Sequence, residues 1–460
     1  MLKKYSLLIS RLIVGALFIV SGLIKANDVL GFSYKMEEYV APDVLNWVVF
    51  QGIEVPLSAI VCIAEILLGV AVLAGEKFRL ASWSLLLLII FFAFLTGYTA
   101  IGNWFFEHPQ ASLTHTFESI FSFDARGDIH YFKDCGCFGD ALQLTPMQSF
   151  LKDVVLLVFI LIIFIQQKTV KANTQKEDIV YYGGAILLIF LFSVGVLNWF
   201  FPVLFSAVTF ALMWAVKRLV NKPELNGWLM AGATTVICTS FTLYTLGHLP
   251  IRDFRPYAIG KNIEAGMEIP EGQEPPQYAV NYTMQSQTSG ETQVVSSIDY
   301  LQKEVWKNKD LKIIETSEQF LVKEGYVPPI HDFVLEDLED GSDRTSEILS
   351  MDIVALWVCY NINTTYTEVQ PQVSALSKEM EQKGIHVVGL TAGLYDDVEN
   401  FRHTYDLEFP FLTCDGTTLK TVIRSNPGLV LLKNGTVVGK WHHNDIPTFE
   451  QLNAQLELQR

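Results

Sequence analysis

The fold is decided by the first apolar stretch of the chain, SLLISRLIVGALFIVSGLI, which covers Ser6–Ile24. An apolar helix of about 20 residues spans the hydrocarbon core of a bilayer, and this stretch has that length with Arg11 as its one charged residue. It is long for the core of a signal peptide and lacks a small-residue cleavage site, so we expect it to be retained. The stretch therefore predicts a membrane-spanning helix.

Further apolar stretches of similar length follow in the first half of the chain. We expect spans at Val55–Leu73, Leu80–Tyr98, Ser149–Gln166, Ile179–Leu197, Phe201–Val216 and Trp228–Leu246. The polar break between Ile179–Leu197 and Phe201–Val216 is interpreted as a tight hairpin, because one uninterrupted span of about 40 residues would exceed the thickness of the bilayer. The sequence thus predicts a bundle of about seven spans, with a four-helix domain at 1–170 and further helices at 171–250.

The charges are divided unevenly between the two halves of the chain. The protein has 460 residues and a net charge of −16, yet residues 1–250 carry 16 basic and 17 acidic side chains, whereas residues 251–460 carry 17 and 32. This change indicates lipid as the surroundings of the first half and water as those of the second. A single soluble globule is excluded, and no basic cluster supports nucleic-acid binding.

The positions of Lys and Arg in the short loops predict the orientation, because such residues are enriched on the cytoplasmic side. With seven spans, four basic sites fall on one side of the membrane. These sites are Lys3 and Lys4, Lys77 and Arg79, Lys168 to Lys176, and Lys217 to Lys222. We therefore expect a multi-pass protein of the bacterial inner membrane, with a cytoplasmic N-terminus and a periplasmic C-terminal region.

Two charged residues lie at membrane depth in the first two spans. Arg11 shares a helix stripe with Gly15, Phe18, Gly22 and Lys25, and Glu65 shares one with Cys62 and Gly69. A charge in the bilayer is costly unless it is paired, so we expect an Arg11–Glu65 pair inside the bundle. The alternative is that Arg11 reaches the cytoplasmic surface and Glu65 is protonated.

The first four spans resemble the DoxX/MauE type of redox-associated membrane protein. The resemblance lies in the first helix, in Glu65 followed by Leu67, Leu68 and Gly69, and in the loop DCGCFG at Asp134–Gly139. It covers about a third of the chain. It implies a redox-associated membrane protein connected with extracytoplasmic disulfides or quinone-linked oxidation, and it assigns no specific reaction.

Cys135 and Cys137 lie in the long loop before the fourth span, which the topology places in an oxidising compartment. A Cys-x-Cys disulfide closes a very small ring, so it should be strained and easily reduced. Three interpretations stay open for this pair. It is an exchangeable redox pair, a metal site completed by His130 or Asp134, or a structural bridge that closes the loop.

The soluble half predicts a linker with a small β module at 251–326, followed by an α/β domain at 327–460. Tyr278–Met284 and Thr292–Ile298 are expected to pair as a hairpin. The later elements are expected at Asp352–Tyr360 (strand), Glu368–Lys383 (helix), Ile385–Thr391 (strand), Val398–Tyr405 (helix), Phe409–Thr413 (strand), Thr417–Ile423 (helix), Gly428–Lys433 and Thr436–Trp441 (hairpin strands) and Phe449–Leu458 (helix). Asn434-Gly435 between the last two strands is typical of a type I′ turn.

This order of elements resembles the thioredoxin fold, with Pro427 at the position of the family's cis-proline. The family's Cys-x-x-Cys is missing, because only Cys359 stands where that motif should follow the first central strand. Cys359 and Cys414 both lie near strand ends, so they either form a bridge or remain two separate buried thiols. Arg424 is expected to bind an acidic partner or to pair with Asp415.

Together these features lead to a hypothesis of a membrane protein that exchanges thiol/disulfide or electron equivalents through Cys135 and Cys137. The sequence leaves the cofactor unknown: a quinone is one candidate, with a site between the first two helices near Arg11 and Glu65, and no motif demonstrates it. The thioredoxin-like domain is expected to dock an extracytoplasmic protein partner, and no metal is assigned. The alternative is a non-catalytic scaffold that anchors an envelope complex.

Overall fold

The computed structural model describes residues 2–42, 44–107, 138–220, 223–317, 320–323 and 325–457. Within these ranges the first half is helical and the second half is a mixed α/β region. Cys135 and Cys137, with the candidate ligands His130 and Asp134, lie outside the described residues. The helices of the first half are α1 Leu2–Asn27, α2 Val29–Val40, α3 Glu54–Ala74, α4 Phe78–Glu107, α5 Pro146–Gln166, α6 Gln175–Ser193, α7 Phe201–Leu219 and α8 Pro223–Gly247.

The predicted bundle of membrane helices is confirmed, and its count is six by length and composition. Among the described residues, α1, α3, α4, α5, α7 and α8 are long and apolar enough to cross a bilayer. Helix α6, which contains most of the predicted span Ile179–Leu197, is not among these six, because its first turn carries three charges and the helix ends at Ser193. Of these charges, Asp178 is buried and pairs with Lys217 of α7 at 2.8 Å.

Helices α1 and α3 are antiparallel. They approach each other closely because glycines at their contact have no side chain. A Cβ atom on Gly69 would lie 2.8 Å from the carbonyl oxygen of Gly15, and one on Gly22 would lie 2.6 Å from Ile66. Small residues at helix contacts are the usual means by which membrane helices approach each other. The packing sets the level of every charged residue on these two helices.

The predicted α/β elements of the C-terminal domain are confirmed. Its six-stranded sheet has the order β11-β10-β7-β8-β9-β6, in which β7, β8 and β9 are parallel and β10 is antiparallel to both β7 and β11. Asn434 and Gly435 both have positive φ, as a type I′ turn requires. The strands are β6 Glu336–Asp337, β7 Ile353–Val358, β8 His386–Thr391, β9 Phe411–Thr413, β10 Gly428–Lys433 and β11 Thr436–His442, and the helices are α11 Thr345–Leu349, α12 Gln370–Gln382, α13 Tyr395–Tyr405, α14 Gly416–Val422 and α15 Phe449–Glu457.

The region between the bundle and this domain contains a linker and a small β module. The predicted hairpin is present as β2 and β3, which pair antiparallel, and a third strand extends it to the order β3-β2-β4. The linker runs along β11, with the amide of Gly260 donating to Val437 and the amide of Val437 donating to Lys261. The elements are α9 Ile263–Met267, β1 Gln277–Ala279, β2 Asn281–Ser286, β3 Thr292–Ser296, α10 Ser297–Gln302, β4 Leu311–Thr316 and β5 Phe320–Lys323.

Candidate functional site

A buried ion pair joins α1 to α3 inside the bundle. The Nζ atom of Lys25 lies 2.7 and 3.0 Å from the two carboxylate oxygens of Glu65 and 2.8 Å from the hydroxyl of Ser21. The side chains of Lys25 and Glu65 are 5% and 1% exposed. A charged pair this deeply buried within membrane helices marks a candidate functional site.

The predicted Arg11–Glu65 pair is wrong, because the antiparallel packing places the two residues at different depths. Arg11, near the start of α1, lies beside the end of α3, where its guanidinium donates to the carbonyl oxygens of Val72 and Leu73 at 2.9 and 3.0 Å. It also donates to the side chain of Asn173 at 2.8 Å. Glu65 lies about 12 Å closer to the start of α3 than Leu73, at the level of Lys25. Arg11 therefore binds the C-terminal carbonyls of α3, where the helix dipole favours a cation.

The Lys25–Glu65 pair borders a mostly apolar cavity of about 330 Å³ in the bundle. A pocket of this size, with apolar walls and a few converging polar groups, is typical of a small-molecule site. Further residues from α1, α2, α4 and α5 line the cavity, among them Leu17, Met36, Phe92, Leu95 and Leu156, together with Phe138 from the loop before α5.

A second ion pair lies at the same cavity. The carboxylate of Asp153 on α5 is 1% exposed, contacts the Nζ atom of Lys152 at 2.9 Å and accepts a hydrogen bond from the hydroxyl of Thr96 at 3.0 Å. Lys152 also lies 5.0 Å from the ring centroid of Phe138. The cavity is thus apolar in most of its lining and carries two compensated charge pairs.

Phe138 connects the cysteine loop to this cavity. It follows Cys137 directly in sequence, its side chain is 6% exposed, and its ring packs against Phe192 with a centroid distance of 5.9 Å. Because the structure describes the chain from Phe138 onward, the C-terminal end of the Asp134–Gly139 motif is located at the cavity, although the two cysteines themselves are not described.

A polar cleft of about 510 Å³ lies between the bundle and the thioredoxin-like domain. It shares Lys25, Phe32 and Phe138 with the apolar cavity, so the two spaces adjoin. Arg252 of the linker and Arg424 of the C-terminal domain line its opposite side. The cleft connects the region of the predicted domain linker with the interior of the bundle.

The predicted cis-proline loop closes back onto its own domain. The Asn426–Pro427 bond is cis, and Pro427 immediately precedes β10. The side-chain amide of Asn426 donates to the carbonyl oxygen of Asn361 at 2.7 Å, and its backbone oxygen accepts from the amide of Tyr366 at 3.0 Å. These two bonds join the cis-proline loop to the segment after β7, where the missing Cys-x-x-Cys would stand.

Of the two alternatives for Cys359 and Cys414, the structure has the second: they are two separate buried thiols with no bridge between them. Cys359 packs with Trp357 on one face of the sheet, whereas Cys414 packs with Leu412 on the other face. The whole strand β8 lies between the strands that they follow. Burial raises the pKa of each thiol to about 12, so neither is a reactive thiolate at neutral pH.

Arg424 pairs with the membrane domain and not with Asp415. Its Nε atom lies 3.0 Å from both carboxylate oxygens of Asp28, the residue that caps the N-terminus of α2. The carboxylate of Asp140, two residues after Phe138, lies 3.6 Å from the same guanidinium. Sequence reasoning did not identify Asp28, because no local pattern connects residues about 400 positions apart.

Sequence reasoning also missed Lys25 and Asp153 as site residues. Lys25 was available as a partner, since it stands on the same stripe of the first helix as Arg11. Asp153 carried a signal too, because it is an acid within a predicted span. Among the described ranges, no group of three or more His, Cys, Asp or Glu side chains could hold a metal ion. The metal interpretation of the cysteine loop falls on residues that are not described.

One protein family matches the membrane part of the chain. The family model described as "Methylamine utilisation protein MauE" matches residues 3–104, which contain Arg11, Lys25 and Glu65. The match covers less than a quarter of the chain. The search of curated proteins found no match to this chain.

Several solved structures are similar to part of the chain. A thioredoxin-like protein from Aeropyrum pernix is 16% identical, with 28% of this chain and 89% of that chain covered and a TM-score of 0.23. BsSco, a member of the Sco family of cytochrome c oxidase assembly proteins, is 12% identical, with 28% and 90% covered and a TM-score of 0.24. A secreted Mycobacterium tuberculosis disulfide oxidoreductase homologous to E. coli DsbE is 16% identical, with 28% and 96% covered and a TM-score of 0.22. These scores carry no functional information for this chain.

Proposed function

We propose that this chain, which joins a MauE-type membrane domain to a thioredoxin-like domain, is a membrane redox protein that exchanges thiol and disulfide through Cys135 and Cys137. One observation carries the proposal. Phe138, the neighbour of Cys137, lines the apolar cavity that contains the Lys25–Glu65 pair. The cysteine motif therefore ends at a cavity that is suited to a lipid-soluble molecule.

The proposed electron acceptor belongs to the quinone class. When Cys135 and Cys137 form a disulfide they release two electrons and two protons, and a quinone takes up the same number to become a quinol. Such a molecule is soluble in the bilayer and carries carbonyl oxygens that accept hydrogen bonds. Lys25 and Lys152 supply ammonium donors at the cavity, and the apolar lining suits the rest of the molecule.

The proposed orientation, which counts α6 as a seventh crossing of the membrane, places the cysteine loop and the thioredoxin-like domain in the periplasm of a Gram-negative bacterium, with the N-terminus in the cytoplasm. Two contacts support the placement of both on the same side of the bundle. Asn27, at the end of α1, donates to the carbonyl oxygen of Arg252 at 2.7 Å, and Asp140 lies near Arg424. The basic residue Lys217 lies near the opposite end of α1, where it contacts Asn173 beside Arg11.

The redox state of the pair tests this proposal. Cells are pulsed with a membrane-permeant reductant, the thiols are trapped with a bulky maleimide, and Cys135→Ser and Cys137→Ser variants identify the bands. We expect the pair to be reoxidised within minutes in membranes that contain quinone. Reoxidation should be slow after solvent extraction of quinone and should recover when a short-chain benzoquinone is added.

A pair of matched tryptophan variants tests the role of the cavity. Leu17 lines the cavity, whereas Leu87 on α4 is 64% exposed on the bundle surface. Leu17→Trp should slow reoxidation about tenfold because the larger side chain occupies the site, and Leu87→Trp should leave the rate unchanged. An equal rate in both variants would exclude the cavity as the acceptor site.

The second candidate function is a non-catalytic membrane scaffold. It is favoured by the thioredoxin-like domain itself, in which Cys359 is alone at the expected active-site position and is buried. A Cys135/Cys137 pair that stays wholly oxidised or wholly reduced throughout the reductant pulse would favour the scaffold over thiol exchange.

A further inference from the structure

Part of the contact between the thioredoxin-like domain and the membrane domain is made by one edge of the former, here called the docking edge and defined as Tyr360, Lys420 and Arg424. These residues stand beside the cis-proline loop, at the position where the fold would carry its Cys-x-x-Cys. Arg424 makes two hydrogen bonds of 3.0 Å with the carboxylate of Asp28. The pair is largely sheltered, since the two side chains are 8% and 21% exposed.

The membrane domain is shaped to receive Arg424. A Cβ atom on Gly31 would lie 2.8 Å from Nη2 of Arg424, so only glycine leaves room for the guanidinium at this turn of α2. Asp28 also accepts a hydrogen bond from the amide of Gly31 at 2.9 Å, so one carboxylate caps α2 and binds the soluble domain. Burial raises the pKa of Asp28, but the charges of Arg424 and Arg255 outweigh burial and hold the pKa below its ordinary value.

Tyr34 on α2 contacts all three residues of the docking edge. Its hydroxyl lies 3.2 Å from the hydroxyl of Tyr360, and its ring centroid lies 4.6 Å from Nζ of Lys420 and 5.4 Å from Cζ of Arg424. Cations over an aromatic face add attraction that is larger when the contact is sheltered from water. The charges are complementary as well, since Glu37 lies one turn further along α2 and faces Lys420 at 4.0 Å.

Contacts outside the docking edge hold the same arrangement from the other side. His248, just after α8, contacts the carboxylate of Asp445 at 2.8 Å, and the side chain of Asn444 donates to the carbonyl oxygen of Gly247 at 2.8 Å. The domain is therefore held at α2 and at the end of α8, on two sides of the interdomain cleft.

We propose that the docking edge is an intramolecular interface whose partner is the N-terminal part of α2 in the same chain. The thioredoxin-like domain is then a fixed cap over the cleft that leads to the membrane cavity. It does not present its cis-proline edge to a separate protein, contrary to the sequence-based expectation. This inference does not depend on thiol exchange, and it would stand if the redox proposal failed.

Site-specific cross-linking tests the cap in the full-length chain in native membranes. Cys135→Ser and Cys137→Ser are present throughout, so thiol exchange cannot affect the readout. Glu37→Cys and Lys420→Cys create a facing pair for a short bismaleimide, and we expect an intramolecular cross-link in high yield. Glu37→Cys with Lys383→Cys is the matched control, because Lys383 is exposed at the end of α12 and is not part of the docking edge. No cross-link in the facing pair, or an equal yield in the control pair, would overturn the proposal.

Charge variants then test whether Arg424 and Asp28 hold the cap. Asp28→Asn keeps an N-cap acceptor for α2 but removes the negative charge, and we expect the initial cross-linking rate to fall about tenfold or more, as loss of a charged hydrogen-bond pair implies. The exchange Asp28→Arg with Arg424→Asp should recover most of the rate, whereas Arg424→Asp alone should not. Unchanged rates in Asp28→Asn and in Arg424→Asp would refute the ion pair as the element that holds the cap.

Discussion

Replacing Lys25 with methionine should destabilise the bundle strongly, because Glu65 would remain buried without its counter-charge. At 2.7 Å the attraction between the two unit charges is about 6 kcal/mol for an effective dielectric constant of roughly 20. The desolvation of both groups offsets much of this attraction. Loss of one partner from a buried pair typically costs about 3–5 kcal/mol, and we expect Lys25→Met and Glu65→Gln each to fall in this range.

The double variant separates loss of the pair from loss of packing. Lys25→Met combined with Glu65→Gln leaves no unpaired charge, so we expect its destabilisation to be smaller than the sum of the two single changes by about 2 kcal/mol or more. The measurement is unfolding of the purified full-length chain in detergent micelles by titration with a denaturing detergent. The control is Lys303→Met, which removes a 3.2 Å pair with Asp299 that is 69% and 44% exposed. We expect that change to cost less than about 0.5 kcal/mol. A loss for Lys25→Met no larger than the control, or strict additivity, would refute the reasoning.

Three further predictions concern other parts of the chain. Gly69→Ala should destabilise the bundle by about 1–3 kcal/mol, because the new methyl group would meet a backbone oxygen of α1, whereas Gly232→Ala has open space and should be close to neutral in the same unfolding assay. Cys359 and Cys414 should resist maleimide at neutral pH in the native protein and react fully in denaturant, because both are buried with pKa values of about 12; rapid labelling of either in the native state would contradict this. Burial and the charge of Arg255 outweigh the attraction of Asp253 and lower the pKa of Lys440 to about 7. Between pH 7 and the ordinary pKa of lysine the unfolded chain therefore binds more protons than the folded chain, and the free energy of unfolding should rise with pH by at most about 1.4 kcal/mol per pH unit. Lys440→Met should abolish that part of the slope.

The thioredoxin-like domain was largely predictable because its signals are local. The turn at Asn434-Gly435 fixes a hairpin, and the alternating apolar residues on either side give β10 with the predicted bounds and β11 with one residue more. The helices between the strands are predictable because the spacing of apolar residues changes there from every second residue to every third or fourth residue. Local patterns of this kind need no knowledge of distant residues.

The pairing of charges in the bundle was not predictable in the same way. The stripe on the first helix contains both Arg11 and Lys25, and the sequence alone does not say which of them lies at the depth of Glu65. That depth depends on where α3 begins and on how Gly15, Gly22 and Gly69 let the two helices meet. The error in the predicted pair is thus an error of register between helices.

The thiols of the soluble domain illustrate a related limit. Strand alternation places Cys359 on the same face as Trp357 and Cys414 on the same face as Leu412. Whether those two faces coincide depends on the register between β7, β8 and β9, and this register cannot be read from the sequence of each strand alone. In the folded sheet they are opposite faces, and a bridge is excluded by geometry.

The end of α1 is the point at which the two halves of the chain become one structure. Lys25 holds α3 through Glu65, Asn27 holds the linker through Arg252, and Asp28 holds the thioredoxin-like domain through Arg424. A displacement of the soluble domain would therefore act on the end of α1, which lies within one helical turn of Lys25 and the cavity. The cleft requires Asp28 from one half and Arg424 from the other, whereas the apolar cavity is lined by the membrane half alone. If the soluble domain caps this cleft as proposed, its removal should expose the cleft side of Lys25 and Phe138, the residues that the cleft shares with the cavity, even when each half folds.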